Sequence, residues 1–499
     1  MNLAIIILYL AAMVFLGWLG KRRAKNAEDY RVAGRRLGPL FFTGTMSAVV
    51  LGGAATIGGI GLGYTYGLSG MWLVGAIAAG VMVLSLAFAG PIQKLRVYTV
   101  SQMLGLRYGG RGIQASSIVM LGYTVMLAVT STSAYASIFS VLFDIDRGWG
   151  IALGSVVVIG YSIMGGMWSI TLTDMMQFVL MTLGMFALLL PFSLHYAGGW
   201  DGLHERLDAE FFDLGSMGAA SIVTMFVVYT LGVLVGQDIW QRVFTARSPG
   251  VARWAGFASG VYTLLYGIAG AVIGMGAAVV VPNLEVPDDA FAALAQDYLP
   301  AGVGGVVLAA GVAAMMSTAS GALIASATVA RVDVLPLLGW VFGGRRAPAP
   351  AEPPADTAEF DAEDPTHSDA AIRRDRLFVL GIGLVVTVIA LLVPSVVAAL
   401  TIAYDILVGG LMVAILGGLL WRRGTGAGAA ASMLTGAIAV LVSMGLFGVM
   451  ANEPIYIGLG VSLVVYVVVS LCTRPTAPEV MDEWQSRLGR VRRRAAAGR

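Results

Sequence analysis

Apolar runs of about twenty residues, the length that crosses a bilayer as a helix, recur along the whole chain and are separated by short polar segments. They predict spans at roughly 2–20, 38–66, 70–90, 113–142, 148–166, 171–193, 218–238, 252–281, 301–330, 376–399, 401–421, 427–448 and 453–472. The pattern therefore predicts an all-α integral membrane protein of about 13 transmembrane helices. The first run, NLAIIILYLAAMVFLGWLG, has no basic stretch before it and no small-residue cleavage site after it, so it is expected to be a retained span.

The positions of Lys and Arg are independent of the apolar pattern, so they test the count. With the N-terminus outside, only Arg147 and Arg206 of the 31 basic residues fall on the outer side. A single missed or invented span would reverse every later loop and destroy this asymmetry. The expectation is a multi-pass protein of the cell (plasma) membrane with its N-terminus outside and its C-terminus cytoplasmic.

Composition agrees: 58% of residues are hydrophobic and only 12% are charged, which leaves no room for a large soluble domain. The lipid bilayer is the partner this demands; nucleic acid is not expected, and nothing in the pattern specifies an oligomeric state. Cys472 is the sole cysteine, so neither a disulfide framework nor a cysteine metal cluster can be built. Residues 343–375, rich in Ala, Pro, Asp and Glu, read as a disordered cytoplasmic linker, and 473–499 as a basic tail or a basic helix on anionic lipid.

Irregular backbone is tolerated in a membrane only where protein or water satisfies it. The second span carries the paired glycines Gly52–Gly53 and Gly58–Gly59, and the seventh carries Gly232 and Gly236. Each set reads either as close helix packing or as a break whose freed backbone binds ion and substrate. Without the first span and the last two, ten remain, and these two helices open the two groups of five. Inside spans, Asp174 reads as an interfacial cap or a functional carboxylate. Asp405 reads as interfacial, and QDIWQR at 237–242 as facing the cytoplasm or an inner gate. The cluster Ser317, Thr318 and Ser320 in AAMMSTASGALIAS either bonds its own helix carbonyls or helps form an oxygen cage for a hard cation.

Six motifs in order resemble the solute:sodium symporter family: DYRVAGRRLGPL, GLGYTYGLSG, GGMWSITLTDMMQ, QDIWQR, LPAGVGGVVLAAGVAAMMSTASGALIASATVARVD and ILVGGLMVAILGGLLWRRGTGAGAAASMLTG. The likeness runs from about Tyr30 to Arg423. It implies a 5+5 inverted-repeat core of the leucine-transporter type with one N-terminal and two C-terminal extra helices. The chain then divides into a first helix and basic loop (1–37), a first repeat (38–193), an extracellular loop (194–217), a second repeat (218–421), two further helices (422–472) and a cytoplasmic tail (473–499).

By motif position the resemblance implies a sodium site made of the Ala48, Leu51 and Ala314 carbonyls and the Ser317 and Thr318 hydroxyls. Asp174 matches a carboxylate that serves sodium coupling, either in a second ion site or along the exit route, and Ser320 matches one hydroxyl of that second site, although the adjoining position is Gly321 where that site has serine. In the substrate region, Val50, Ala54 and Ala55 replace polar and acidic residues that read sugar or proline, so neither sugar nor proline is the expected solute. Gly52, Gly53, Thr56, Tyr123 and Tyr229 are the candidate lining residues, and a monocarboxylate or amino acid is the expected solute.

The expectation is sodium-coupled import of a small organic solute by alternating access, with Na+ as coupling ion and no cofactor. Enzymatic function is not expected, because His195, His204 and His367 all lie in loops or the linker. The alternatives are proton coupling through Asp174 in the same fold and a transporter-like membrane sensor.

Overall fold

The computed structural model describes residues 2–143, 145–338, 365–392, 396–449 and 451–487, and among these it is helical with no strand beyond one isolated bridge between Leu37 and Ala246. The principal helices are α1 (Asn2–Arg23), α2 (Pro39–Val50), α3 (Gly59–Tyr66), α4 (Trp72–Val83), α5 (Gly110–Phe143), α6 (Arg147–Gly165) and α7 (Met167–Ala197). There follow α8 (Ala219–Val235), α9 (Gln237–Thr245), α10 (Pro249–Val280), α11 (Val303–Leu338), α12 (Pro365–Leu392), α13 (Ala398–Leu420), α14 (Gly426–Phe447), α15 (Glu453–Cys472) and α16 (Pro478–Arg487).

Among the described residues, 11 helices are long and apolar enough to cross a membrane, or up to 12 with the bent pair α8–α9. The difference from the thirteen expected lies in residues 38–90. There α2 is short, and Ala54–Lys94 forms one apolar stretch of 41 residues. That stretch folds back on itself. A Cβ on Gly70 would lie 2.5 Å from the Gly63 nitrogen, whereas seven residues of straight helix span about 10 Å.

Contacts along α10 show the direction of each arm. Thr43 Oγ1 donates to the Ala255 carbonyl and Tyr64 Oη to that of Val281, so α2 and α3 run parallel to α10. A Cβ on Gly267 would sit 2.7 Å from Val74 Cβ, and one on Gly260 2.6 Å from Met82 Cγ, so α4 runs antiparallel. The reversal falls at Gly67, whose φ of 59° and ψ of −135° suit glycine.

α11 sits at the centre: its most apolar window is 100% buried, against 28% for α1 and α15. It packs against α5, α7 and α1, while α14 and α15 pack on each other at the periphery. Large apolar side chains such as Leu8, Val156, Leu446 and Val464 stand exposed on the outer helices, as a hydrocarbon solvent requires. Small residues at the inner contacts permit close approach in the absence of a hydrophobic drive between helices.

One expectation is corrected. α12 begins at Pro365, so residues 365–375 of the expected linker are helical. Ala370 and Ala371 favour helix, and Asp375 is anchored by Arg31 at 3.1 Å and Arg331 at 2.9 Å. The remainder of that linker, through 364, lies outside the described residues, as does the tail beyond 487. Within the tail, α16 is docked by a buried Trp484.

Candidate functional site

The site forms where α2 stops. Pro39 at the first turn starts this helix; at its end Leu51 leaves helical geometry with φ −95° and ψ 53°, followed by Gly52–Gly53 and a π-type turn over Ala54–Gly58. The glycines answer to close packing: a Cβ on Gly52 would lie 2.5 Å from Thr318 Oγ1, and one on Gly53 2.7 Å from the Ala134 Cβ. The break thus abuts α11, and the glycine pair is both closely packed and the end of regular helix.

All five residues of the expected sodium set are buried at this junction. The Thr318 hydroxyl donates to the Val49 carbonyl at 2.8 Å and lies 3.5 Å from that of Ala314. The Ser317 hydroxyl donates to Asp174 Oδ1 at 3.0 Å. Both hydroxyls therefore cross between helices and keep oxygen lone pairs, the donor chemistry suited to a hard cation. Ser320 differs: its hydroxyl donates to the Ser317 carbonyl of its own helix at 3.0 Å.

Asp174 is no interfacial cap. It is fully buried, its Oδ2 accepts from Thr45 of α2, and it pairs with Arg242 of α9 at 3.4 Å. One carboxylate thus joins α2, α7, α9 and α11.

The second break separates α8 from α9 by a 45° bend at Gly236, whose ψ of 130° is extended. A Cβ there would come within 3.0 Å of Asp238 Oδ1 and Tyr123 Oη. The Trp240 indole donates to the Leu234 carbonyl at 2.8 Å, satisfying an acceptor that the break leaves free. Gln237 bonds both the Val100 nitrogen and the Tyr98 carbonyl, and Gln241 the Arg31 carbonyl, so QDIWQR is buried and knits α9 to the loops on that side.

Between the two breaks lies a cavity of about 40 Å³, lined among others by Gly52, Gly53, Tyr229, Asp238, Thr318 and Tyr404. Of the expected lining residues, Gly52, Gly53 and Tyr229 face it. Tyr123 stands behind, donating to Asp238 Oδ1 at 2.8 Å, and Thr56 bonds the Tyr266 hydroxyl at 3.1 Å. Sequence reasoning did not assign Asp238 or Tyr404 to the cavity, nor Arg242 to Asp174. The signal for Asp238 and Arg242 was the polar cluster at the end of an apolar span, which reads equally as a solvated terminus; Tyr404 carries none. Asp405, expected at the interface, is buried.

The sequence model of the Sodium:solute symporter family matches residues 30–336. A sodium/proline symporter of Staphylococcus aureus (strain JH9) is 26% identical over 515 residues, covering 95% of this chain and 93% of the relative. A solved structure of a Na+-coupled sialic acid symporter, in a substrate-bound outward-open state, aligns with TM-score 0.77 at 18% identity over 95% of this chain and 98% of that one. A nucleobase-cation-symport-1 family transporter in a closed conformation aligns with TM-score 0.50 at 14% identity, covering 91% and 98% of the two chains. The structural likenesses speak for the fold, and the family match spans more than half of the chain: it belongs to the sodium:solute symporter family.

Proposed function

We propose that this protein imports a small zwitterionic solute, an amino acid, together with sodium. The observation that carries the reading is the junction of the α2 break with α11, where the Thr318 hydroxyl meets the Val49 carbonyl and the Ser317 hydroxyl meets Asp174. Ala48, Leu51, Ala314, Ser317 and Thr318 hold the ion in this reading. Sodium bridging α2 and α11 favours the state in which they are together, and their separation toward the cytoplasm releases it. Each inward sodium contributes roughly 2.3 kcal/mol per 100 mV.

The architecture we propose has thirteen spans: α2 with α3 forms one broken span, α4 the next, and α8 with α9 a second broken span. The two breaks open two five-helix repeats of opposite orientation, with α1 before them and α14 and α15 after. The N-terminus lies outside and the C-terminus in the cytoplasm of the plasma membrane. The distribution of Lys and Arg supports that orientation.

Between the two expected solute classes, Asp238 favours the amino acid. A carboxylate on the cavity wall repels a plain monocarboxylate and attracts an ammonium group, while backbone amides at the Gly52–Gly53 break suit a carboxylate. The sodium/proline relative, similar over nearly its whole length, supports the same class. The cavity holds about three water molecules, so a solute must widen it.

Proteoliposomes with an inward sodium gradient test the reading. Labelled small neutral amino acids are expected to accumulate in sodium and not in choline at fixed pH, with lactate and propionate excluded. Equal accumulation in choline driven by a proton gradient would replace sodium with the proton as coupling ion.

A further inference from the structure

Arg107 and Arg242 are the two fully buried arginines among the described residues, and their charges are balanced differently. Arg242 pairs with the Asp174 carboxylate. Arg107 has only carbonyls at the end of α13 and the Thr476 hydroxyl, 3.5 Å from Nη1. Carbonyls carry partial charges, and a buried cation without a full counter-charge is costly. Two neighbours also lack an acidic partner among the described residues. Arg422 Nη2 donates to Gln485 Oε1 at 3.2 Å, and Arg423 Nη2 to the Leu471 and Thr473 carbonyls. Positive charge thus collects at the end of α13 without the ion pairs that neutralise Arg31, Arg35 and Arg331 elsewhere.

Beside these side chains lies a cavity of about 150 Å³, against about 40 Å³ for the one between the two helix breaks. Arg107, Trp421 and Arg422 line one side, and Met481, Trp484 and Gln485 of α16 the other. It has room for roughly ten water molecules, and so for a phosphate group. α16 keeps its acids away from this space: Asp482 and Glu483 are exposed, and Glu483 is paired with Arg487. Leu420, exposed like the other lipid-facing side chains, lines the cavity as well. With two tryptophans beside it, the cavity stands at the level of the membrane–water interface, where that residue is enriched.

We propose that this cavity binds the phosphate of an anionic phospholipid, with Arg422 as its ligand and Arg107 as the fixed charge beneath it. The bond to Gln485 orients the Arg422 guanidinium and leaves Nε and Nη1 for the phosphate oxygens, a pairing that suits the planar fork of arginine. Arg107, whose donors are engaged by carbonyls, acts through its charge. A zwitterionic headgroup brings its own cation and neutralises nothing; an anionic one supplies the missing counter-charge and fixes α16 to the end of α13. Basic pockets between helices at a membrane surface suit such headgroups. None of this depends on the ion or solute that the protein carries.

Thermal unfolding of the purified full-length protein in detergent, followed by tryptophan fluorescence, reads the site. Dioctanoyl phosphatidylglycerol is expected to raise the midpoint saturably, while dioctanoyl phosphatidylcholine and inorganic phosphate at the same concentration leave it in place. Arg422→Gln should raise the half-saturating lipid concentration at least tenfold. Arg474→Gln, which removes an exposed charge outside the cavity at the same end, should respond as wild type does. Gln485→Glu supplies a tethered carboxylate beside Arg422; it should raise the midpoint without lipid and abolish the lipid response. Equal stabilisation by phosphatidylcholine overturns the proposal, as does equal weakening in Arg422→Gln and Arg474→Gln, which marks diffuse attraction. A full lipid response in Gln485→Glu overturns it even where Arg422→Gln fails to fold. Inorganic phosphate matching phosphatidylglycerol would make the ligand a soluble anion and overturn the lipid assignment.

Discussion

The Thr318 hydroxyl donates to the Val49 carbonyl at 2.8 Å, joining the central helix α11 to the last turn of the broken helix α2. If the same oxygen also ligates sodium, Thr318→Ala removes both an interhelical bond and a cation ligand. A hydrogen bond or ligand to a charged partner is worth about 1.5–3 kcal/mol, so apparent sodium affinity should fall on the order of tenfold or more. Thr318→Ser should retain most of it. Sodium titration of uptake checks this, and equal affinity in Thr318→Ala and wild type would remove Thr318 from the site.

Gly52 is fixed by the same contact. Its missing side chain leaves room for Thr318 Oγ1, which a Cβ would approach to 2.5 Å. Gly52→Ala must push α2 away from α11 or turn the threonine, at a cost of about 1–3 kcal/mol for overpacking. Sodium-dependent thermal stabilisation should shrink in this variant. Gly58→Ala, where a Cβ meets nothing within 4 Å, should keep it. Matching losses in the two variants would count against a specific role for Gly52.

Tyr123→Phe should act on the solute and not on the ion. It deprives Asp238 of a donor at 2.8 Å while leaving the α2–α11 junction intact. A buried group that loses its partner costs about 1–3 kcal/mol, so the half-saturating solute concentration should shift up to a hundredfold, with sodium affinity nearly constant. The two affinities, measured separately in the uptake assay, must diverge for Asp238 to belong to the solute.

Much of this was legible in the sequence, for identifiable reasons. Span length, the hydroxyl cluster at 317–320 and the glycine breaks are local patterns with local physical causes. What pairs with what is not local. Asp174 and Arg242 lie 68 residues apart, and nothing in either stretch announces the other. QDIWQR looked like a solvated helix end because polar residues after an apolar run normally are; it is buried because α9 turns by 45° at Gly236 and packs inward. The reversal inside Ala54–Lys94, by contrast, is legible: the expected spans 38–66 and 70–90 part at 67–69, where Gly67 turns the chain.

Outside the membrane-spanning part, Asp288 gives a pH-dependent prediction. Burial, and secondarily the neighbouring Asp289, push its carboxyl above the usual range. A folded-state pKa above the unfolded one, about 3.9, means that the folded form binds more protons between the two values. Its contribution to stability is therefore greatest below the unfolded pKa and is lost as pH rises through the folded one. Asp288→Asn should raise the thermal midpoint at neutral pH and make little difference near pH 3. A constant offset across that range would show that charge is not the cause.

The peripheral helices are supported by one buried arginine. Arg107 is fully buried, and its Nε donates to the Gly418 carbonyl at 3.1 Å. Its Nη2 reaches the carbonyls of Trp421, Arg422 and Gly424 at 3.1, 3.2 and 3.2 Å. These lie at the end of α13, where helix carbonyls lack partners and a cation is favoured by the helix dipole. α16 closes over the same place, with Trp484 and Arg107 lining one cavity. Lysine keeps the charge but cannot span four carbonyls with one ammonium, and each carbonyl left bare costs roughly 1–3 kcal/mol. Arg107→Lys should therefore lower the thermal midpoint markedly, while Trp484→Ala, which uncovers the cluster without removing a donor, should lower it less. Tryptophan fluorescence during heating of the detergent-solubilised protein gives both midpoints, and the reverse order would place the stabilising weight on α16 and not on the arginine.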